Sequence, residues 1–329
     1  LVEREEANCC ITVEVNNKGD IEMPANRNIR YAIEESIRYL ESYPDVAMDR
    51  CEISRRKWDG AWWHMATLYE MGEVKQIPES AIARAKYLLE AQTWPVFVIS
   101  DNDHPISDTD KMKMDCCHCE LAVYYMILMA YGCDLDNELP WIREWFLNHQ
   151  LSDGGLNCEP EAYTDSNKSS IVSTLPPLEA ILLFTNRDFT VQEEVFLDEG
   201  ARYLIEHRLV CSRQSGHIID KDWLKPCFPR FFEYDILRGM SYLAEWSRRR
   251  NKPLPKGLLN EGMQQLNSFI EAEGLRIGRQ VFDPQGPWGG HTFPLLEALS
   301  RKGEVSPYLT RQLEGVRAQL EYAVNESIY

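Results

Sequence analysis

With 52 Asp and Glu against 35 Lys and Arg, the 329-residue chain carries a formal charge of -17, which excludes a nucleic acid as partner because phosphate binding takes clustered Lys and Arg. Hydrophobic residues make up 44%, ordinary for a globular chain with a large core. The longest apolar run, Leu121 to Tyr131, is shorter than the about 20 residues a transmembrane helix takes, so no membrane span is expected.

Residues 1–27 read as an arm. Their acidic opening, Glu3, Glu5 and Glu6, is unlike a signal peptide, and because residue 1 is Leu rather than Met a missing natural start is left open. Cys10 to Val15 alternates like a short strand, and Asn16 to Asp20 reads as a turn. From 28 to 329 a unit repeats: an amphipathic outer helix, a turn, and an apolar inner helix. The outer segments are Ile29 to Leu40, Ser80 to Gln92, Trp141 to Gln150, Val191 to Arg208 and Leu258 to Ala272. The inner segments end near Gly72, Gly132, Phe184, Trp246 and Ser300, and Thr310 to Val324 is a last helix without an inner mate. The spacing is roughly 55 to 60 residues, with no linker in it, so one repeat domain is expected. Hairpins of this kind bury their faces only by stacking on neighbours. The expected fold is all-α, an α/α toroid of five to six hairpins closed on itself, with an open solenoid as the other arrangement of the same units.

In chain order, Tyr43-Pro44-Asp45 joins the first hairpin, and Arg55 to His64 opens the first inner helix with Trp58, Trp62 and Trp63. The acid-rich loop Thr93 to Lys113 leads into Asp115-Cys116-Cys117-His118-Cys119-Glu120, which opens the second. Asp153-Gly154-Gly155 supplies the sharp turn of the third hairpin, and the loop Glu159 to Lys168 leads into Ser169-Ser170. Cys211 to Phe228 runs into Pro229 to Asp235, the fourth opening. Gly274 to Trp288 runs into His291 and the fifth. The long loops precede inner helices and so share one end of the ring, where a mouth is expected. The basic run Arg248-Arg249-Arg250 falls at a helix end, where cations meet the negative pole of the dipole.

Polar and aromatic residues crowd these openings. His64, Tyr124, Ser173, Phe232 and His291 align at one level; Glu120, Ser169 and Ser170 lie a turn nearer the mouth. A central pocket with aromatic walls and a few polar groups would suit an apolar substrate with a small reactive head. Acid–base groups are expected from Asp115, His118, Glu233, Asp235 and His291. A carboxyl buried among apolar groups has a raised pKa and can donate a proton. Substrate contacts are expected from Trp58, Trp62, His64, Tyr124, Cys158, Phe232 and Trp288. Each has a plainer alternative: capping for Asp59, Asp115 and Asp165, ion pairing with Arg230 and Arg238 for Glu233 and Asp235, both expected within the fourth inner helix, and core packing for the histidines and tryptophans.

The ten cysteines include the adjacent pairs Cys9-Cys10 and Cys116-Cys117, which argues against a disulfide framework and for reduced thiols and a cytoplasmic location. Thiols, imidazole and carboxylate at Asp115 to Cys119 are zinc-ligand types. Adjacent residues on a helix diverge by about 100 degrees, so at most two of them reach one ion, and Cys158 or His291 would have to complete the set. No cofactor is therefore assigned, with zinc kept as a lesser alternative. Asn167-Lys168-Ser169 matches a glycosylation acceptor pattern that also arises by chance.

Phe146-Leu147, Gln150 and Asp153-Gly154-Gly155 resemble the repeat shared by squalene and oxidosqualene cyclases and the β subunits of protein prenyltransferases. Asn157-Cys158, Ser169-Ser170, Leu178-Glu179-Ala180, Pro229-Arg230 and Tyr234 to Arg238 look more specifically like an uncharacterised bacterial branch of that superfamily. The resemblance spans about residues 29 to 325 and implies an (α/α) barrel with a central, often lipid-binding cavity. The cyclases' Asp-x-Asp-Asp acid motif is absent, Asp108-Thr109-Asp110 lacking its final acid, and Leu156 stands where the repeat usually closes on tryptophan. The prenyltransferases' zinc pattern of Asp-x-Cys with a later His is similar to Asp115-x-Cys117 and His291, but these lie three hairpins apart, on opposite sides of a six-fold ring. The expectation is an enzyme acting on a hydrophobic small molecule, an isoprenoid among the candidates, by acid–base chemistry. The alternatives are a non-catalytic ligand-binding or protein-interaction toroid and a zinc-dependent transferase; a partner subunit is left open.

Overall fold

Outer and inner segments differ in the width of their apolar face, and that difference sets their depth. The computed structural model describes residues 25–42, 58–90, 117–159, 161–283 and 291–326, with 25–28 and 321–326 described by backbone alone. Asp115, Trp288, the strand expected at Cys10 to Val15, the Tyr43 to Asp45 joint and the Thr93 to Lys113 loop lie outside them.

Among the described residues the chain is mostly helical. In order come α1 (Ala25–Ser42), α2 (Ala61–Glu70), α3 (Glu79–Glu90), α4 (His118–Tyr131), α5 (Trp141–Asn148), α6 (Ile171–Phe184), α7 (Val191–Glu206), α8 (Ile236–Arg250), α9 (Leu258–Leu266), α10 (Pro294–Leu299) and α11 (Pro307–Glu326). Strand is confined to an antiparallel pair, Ile270–Glu271 with Gly274–Leu275, and two isolated bridges. α1 starts inside the stretch read as an arm.

In α2 every residue from Ala61 to Leu68 is buried, and in α4 every one from Leu121 to Leu128, as befits helices apolar nearly all round. The outer helix α1 instead buries Ala32, Ser36 and Leu40, one stripe at spacing four. α4 stops at Gly132, which takes a left-handed φ of 113° while its N–H bonds back to Leu128 and Met129. α7 starts on a capping box, Thr190 with Glu193. The inner helices pack in chain order, α2 on α4, α4 along most of α6, and α6 on α8; α10 packs on both α1 and α2, and α11 on α8.

Two expectations need correction. The fifth outer helix ends at Leu266 rather than Ala272, because the chain passes into a 3-10 turn and the strand pair. Gly274 takes φ 141° there, and a Cβ on it would collide with Thr310 of α11. Glu233 and Asp235 do not lie within the fourth inner helix. α8 begins at Ile236, and Asp235 is its cap, accepting the Arg238 N–H at 2.9 Å.

That cap belongs to a buried ionic network between α2, α6, α8 and α11. Arg230 reaches both Asp235 oxygens at 2.7 and 3.1 Å and Gln312 at 2.6 Å. Glu70 accepts the backbone N–H groups of Arg230 and Phe231. Arg238 pairs with Glu179 at 2.6 Å and donates to the carbonyls of Phe231 and Glu233. A second network ties α5 to α7, with Arg143 contacting Asp136, Glu193 and Thr185.

Candidate functional site

The Asp153-Gly154-Gly155 turn fixes where its flanking residues go. Gln150 donates to the carbonyls of Gly154 and, on α7, Phe196, both at 2.8 Å. Asp153 accepts from the Ser169 hydroxyl at 2.5 Å and the Ser169 N–H at 3.0 Å. Gly154 has φ 98°, and a Cβ on Gly155 would sit 2.6 Å from both Ser169 Cβ and Thr174 Oγ1. The chain that leaves the turn is therefore laid flat on the first turn of α6: Leu156 N–H bonds Thr174 Oγ1 at 2.8 Å, and Cys158 N–H bonds Ser173 Oγ at 3.2 Å.

Cys158 thereby meets the start of α4. Cys117 is the cap residue of that helix in extended conformation (φ -78°, ψ 158°), and Cys119 lies two residues on, in its first turn. Cys117 makes no side-chain cap hydrogen bond to the first-turn amides; its Sγ instead approaches Cys119 Sγ to 2.9 Å, and Cys158 Sγ lies 3.7 Å from Cys119. The three sulfur atoms fall within 4.8 Å of one another. Hydrogen bonds from Cys117 and then Cys119, together with nearby His118 and Ser173, hold the Cys158 thiol well below its usual pKa although burial opposes this. Cys119 is pushed up by its thiol neighbours and burial. The start of a helix favours thiolate generally.

Beside the sulfurs opens a cleft of about 480 Å³, whose lining includes Cys119, Cys158, Ser170, Ser173, Val172 and Phe232, with the charged Lys168 and Glu159. Inside α6, Pro176 and Pro177 lack N–H groups, so the carbonyls of Val172 and Ser173 lose their usual helical partners beside this cleft.

The other expected residues are dispersed. His118 is fully buried next to the sulfurs, but both ring nitrogens are occupied: Trp145 Nε1–H donates to Nδ1 at 3.0 Å, leaving Nε2 to carry the proton toward Tyr163 Oη at 2.9 Å. Burial lowers its pKa to about 4, so the ring is a neutral strut. Asp235 is capped and paired. Glu233 is half-buried, 3.4 Å from Arg279. His291 is exposed and is not part of the thiol group. His64 is stacked between Tyr39 and Phe293, with centroids 4.3 and 3.8 Å away. Trp62 and Trp63 pack edge-on at 4.6 Å, Trp63 meets Phe231 at 4.7 Å and Trp58 at 4.8 Å, and Tyr124 is buried against Trp62. These rings fill space together; of the expected binding residues, Cys158 and Phe232 reach the cleft.

Of the combinations open to the sequence, two residues of the Asp115 to Cys119 run completed by Cys158 or His291, the structure brings together Cys117 and Cys119 with Cys158; Glu120 lies in the same helical turn, and burial pushes its carboxyl up to about 8. The usable signal was Cys-x-Cys directly before an apolar run, which makes the first cysteine a cap rather than a helical residue. Among the described residues no helix is long and apolar enough to cross a membrane. Comparison with known protein families, curated proteins and solved structures finds no match for this chain.

Proposed function

We propose that this chain is an enzyme that works on an amphipathic small molecule, an isoprenoid among the candidates, in the cleft at the starts of α4 and α6. Its chemistry is run by the sulfur cluster rather than by the carboxylates and histidines first expected. The observation that carries this reading is the convergence of Cys117, Cys119 and Cys158 within 4.8 Å beside the cleft. Asp235 and His118, by contrast, have their polar atoms committed to Arg230, Trp145 and Tyr163. Phe232 and Val172 offer an apolar wall, and Lys168, Ser169 and Ser170 a polar end. A ring of hairpins similar to the prenyltransferase and squalene-cyclase repeat is the architecture we attach to this reading. Its support is the packing of α2, α4, α6 and α8 in chain order with α10 returning to α2.

The test is native mass spectrometry of the full chain with lipid extraction, followed by titration with a fluorescent isoprenoid diphosphate. Ser170→Trp fills the cleft and should weaken binding at least about tenfold, the effect of losing roughly 1.4 kcal/mol. Cys158→Ser should leave binding within about threefold and abolish turnover. Equal binding by wild type and Ser170→Trp would remove the cleft from the reading.

A further inference from the structure

Three thiols at one point call for an explanation that two would not. A disulfide consumes a pair and leaves the third sulfur idle, and three thiolates within 4.8 Å repel one another unless a cation sits between them. Zinc bound to thiolates has bonds of about 2.3 Å in a tetrahedron, which sets each sulfur about 3.8 Å from the next. Cys158 and Cys119 already stand at 3.7 Å. Cys117 and Cys119, at 2.9 Å, reach that spacing when the cap side chain of Cys117 swings out by about 1 Å, with no change in α4.

The surroundings are those of a ligand set rather than of buried structural cysteines. Ser173 accepts the Cys158 N–H at 3.2 Å, fixing the loop that carries the third sulfur, as outer hydrogen bonds orient metal ligands elsewhere. His118, the neighbour one would first add as a fourth ligand, is excluded because Trp145 and Tyr163 hold its two nitrogens. His291 is exposed and apart from the cluster. Cys119 and Cys158 both line the cleft, so a metal on them would present its remaining face there. Among the described residues the cluster supplies three ligands; three protein ligands and one open position is the pattern of catalytic zinc, whereas structural zinc is closed by four.

We propose that Cys117, Cys119 and Cys158 bind one Zn²⁺ ion whose fourth position opens into the cleft, to be filled by water or by a donor atom of the substrate. The ligand set is two sulfurs at the start of α4 completed by Cys158, one of the combinations the sequence left open, and not the Asp115, Cys117 and His291 pattern of the prenyltransferase resemblance. The role of the fourth position rests on the cleft being the working site; the binding of the metal does not.

The experiment uses the full chain, expressed with zinc supplementation and purified in reductant without chelator. Elemental analysis should give about one zinc per chain, and cobalt exchange should give thiolate-to-metal charge-transfer absorption with intense tetrahedral ligand-field bands. Cys158→Ser and Cys119→Ser should each lose most of the metal, while Cys133→Ser, a thiol outside the cluster, keeps it. Because a ligand variant can misfold, differential alkylation of the wild type supplies a second readout: adding chelator should expose Cys117, Cys119 and Cys158 together, by peptide mapping. Zinc well below about 0.2 per chain, a cobalt spectrum without thiolate charge transfer, or metal retained in Cys158→Ser would overturn the proposal. Loss of zinc alongside unchanged ligand titration would leave the cleft reading standing. A metal-loaded protein whose ligand binding ignores Ser170→Trp would keep the zinc and remove the cleft.

Discussion

Asp235→Asn separates a carboxylate that holds the fold from one that moves protons. Asp235 is fully buried and accepts five hydrogen bonds, from Arg238 N–H, Cys227 N–H and thiol, and two nitrogens of Arg230, itself 3% exposed. Asparagine keeps an oxygen for the cap but turns N–H groups toward a guanidinium and leaves the buried cation without its counter-charge. Breaking one side of a buried pair costs about 3–5 kcal/mol, a large share of the about 5–15 kcal/mol that holds a domain together. We expect Asp235→Asn to lose about 3 kcal/mol, and Asp235→Ala about 1 kcal/mol more through the lost cap. Urea unfolding at pH 7, followed by far-ultraviolet circular dichroism, measures both. An Asp235→Asn protein within about 0.5 kcal/mol of wild type but without turnover would refute the structural assignment and restore the acid–base one.

The same residue sets a pH signature. Burial alone would raise the Asp235 carboxyl, but Arg230 and the two backbone N–H groups outweigh it and hold the pKa below the usual carboxylate range. The native state therefore binds this proton less readily than the unfolded chain. Its contribution is complete above the unfolded value near 4 and is lost as pH falls through the lower folded value. In Asp235→Asn that part of the acid sensitivity should be missing.

His64, pressed between Tyr39 and Phe293, has its pKa lowered by burial to about 3, so stability falls as pH drops below 6.5, by about 2 kcal/mol between 6.5 and 5. His64→Phe should keep the stacking and remove that loss, seen as a flatter plot of urea midpoint against pH; an unchanged plot would refute it. Arg143→Ala should cost about 3–5 kcal/mol, because it leaves Glu193, 2% exposed, with the half-exposed Arg187 and the Thr190 N–H in place of its buried cation; a thermal midpoint equal to wild type would contradict this. Trp145→Phe strips the donor from His118 Nδ1 and should cost about 1–3 kcal/mol in urea, with a loss under about 0.3 kcal/mol showing that water takes the place of the indole.

Helices were legible because their cause is local. Outer stripes, apolar inner helices, Gly132 as a stop and the Asp153-Gly154-Gly155 turn all follow from residues within a few positions of one another. What the sequence left open is the choice among distant partners. Cys119 and Cys158 are 39 positions apart, and only the flat course of residues 156 to 158 along α6 brings them together. The divergence of helix neighbours holds: two of the run, Cys117 as the cap and Cys119 in the first turn, come together with Cys158, while His118 between them turns to Trp145 and Tyr163; the sequence left open which two. A one-position shift hid Asp235, where a carboxylate just before Ile236-Leu237-Arg238 reads as helical by periodicity and as a cap by its bond to Arg238. Aromatic density misled differently: it marks burial with certainty, but whether rings line a hollow or fill it depends on what faces them, and Trp62, Trp63 and Phe231 face one another.

Gly155→Ala tests whether the glycine turn matters to the sulfur cluster or only to the fold. Its Cβ would stand 2.6 Å from Ser169 Cβ and Thr174 Oγ1, where van der Waals contact needs about 3.4 Å or more, so the loop must lift by nearly 1 Å; overpacking of this sort costs about 1–3 kcal/mol. Thr174 is the group that grips Leu156, and Ser173 beside it grips Cys158. The displacement therefore passes along three residues into the third sulfur. A variant that is about 2 kcal/mol less stable should still fold, yet its Cys158 should be alkylated faster at pH 7 than in wild type, because the shelter of Cys117 and Cys119 is loosened. As a control, Gly303 takes a positive φ and a Cβ there meets nothing within 4 Å; Gly303→Ala should lose stability through backbone strain and leave Cys158 reactivity unchanged. Equal alkylation rates in Gly155→Ala and wild type would mean that Cys158 holds its place without the turn, and that the motif serves packing against α7 alone.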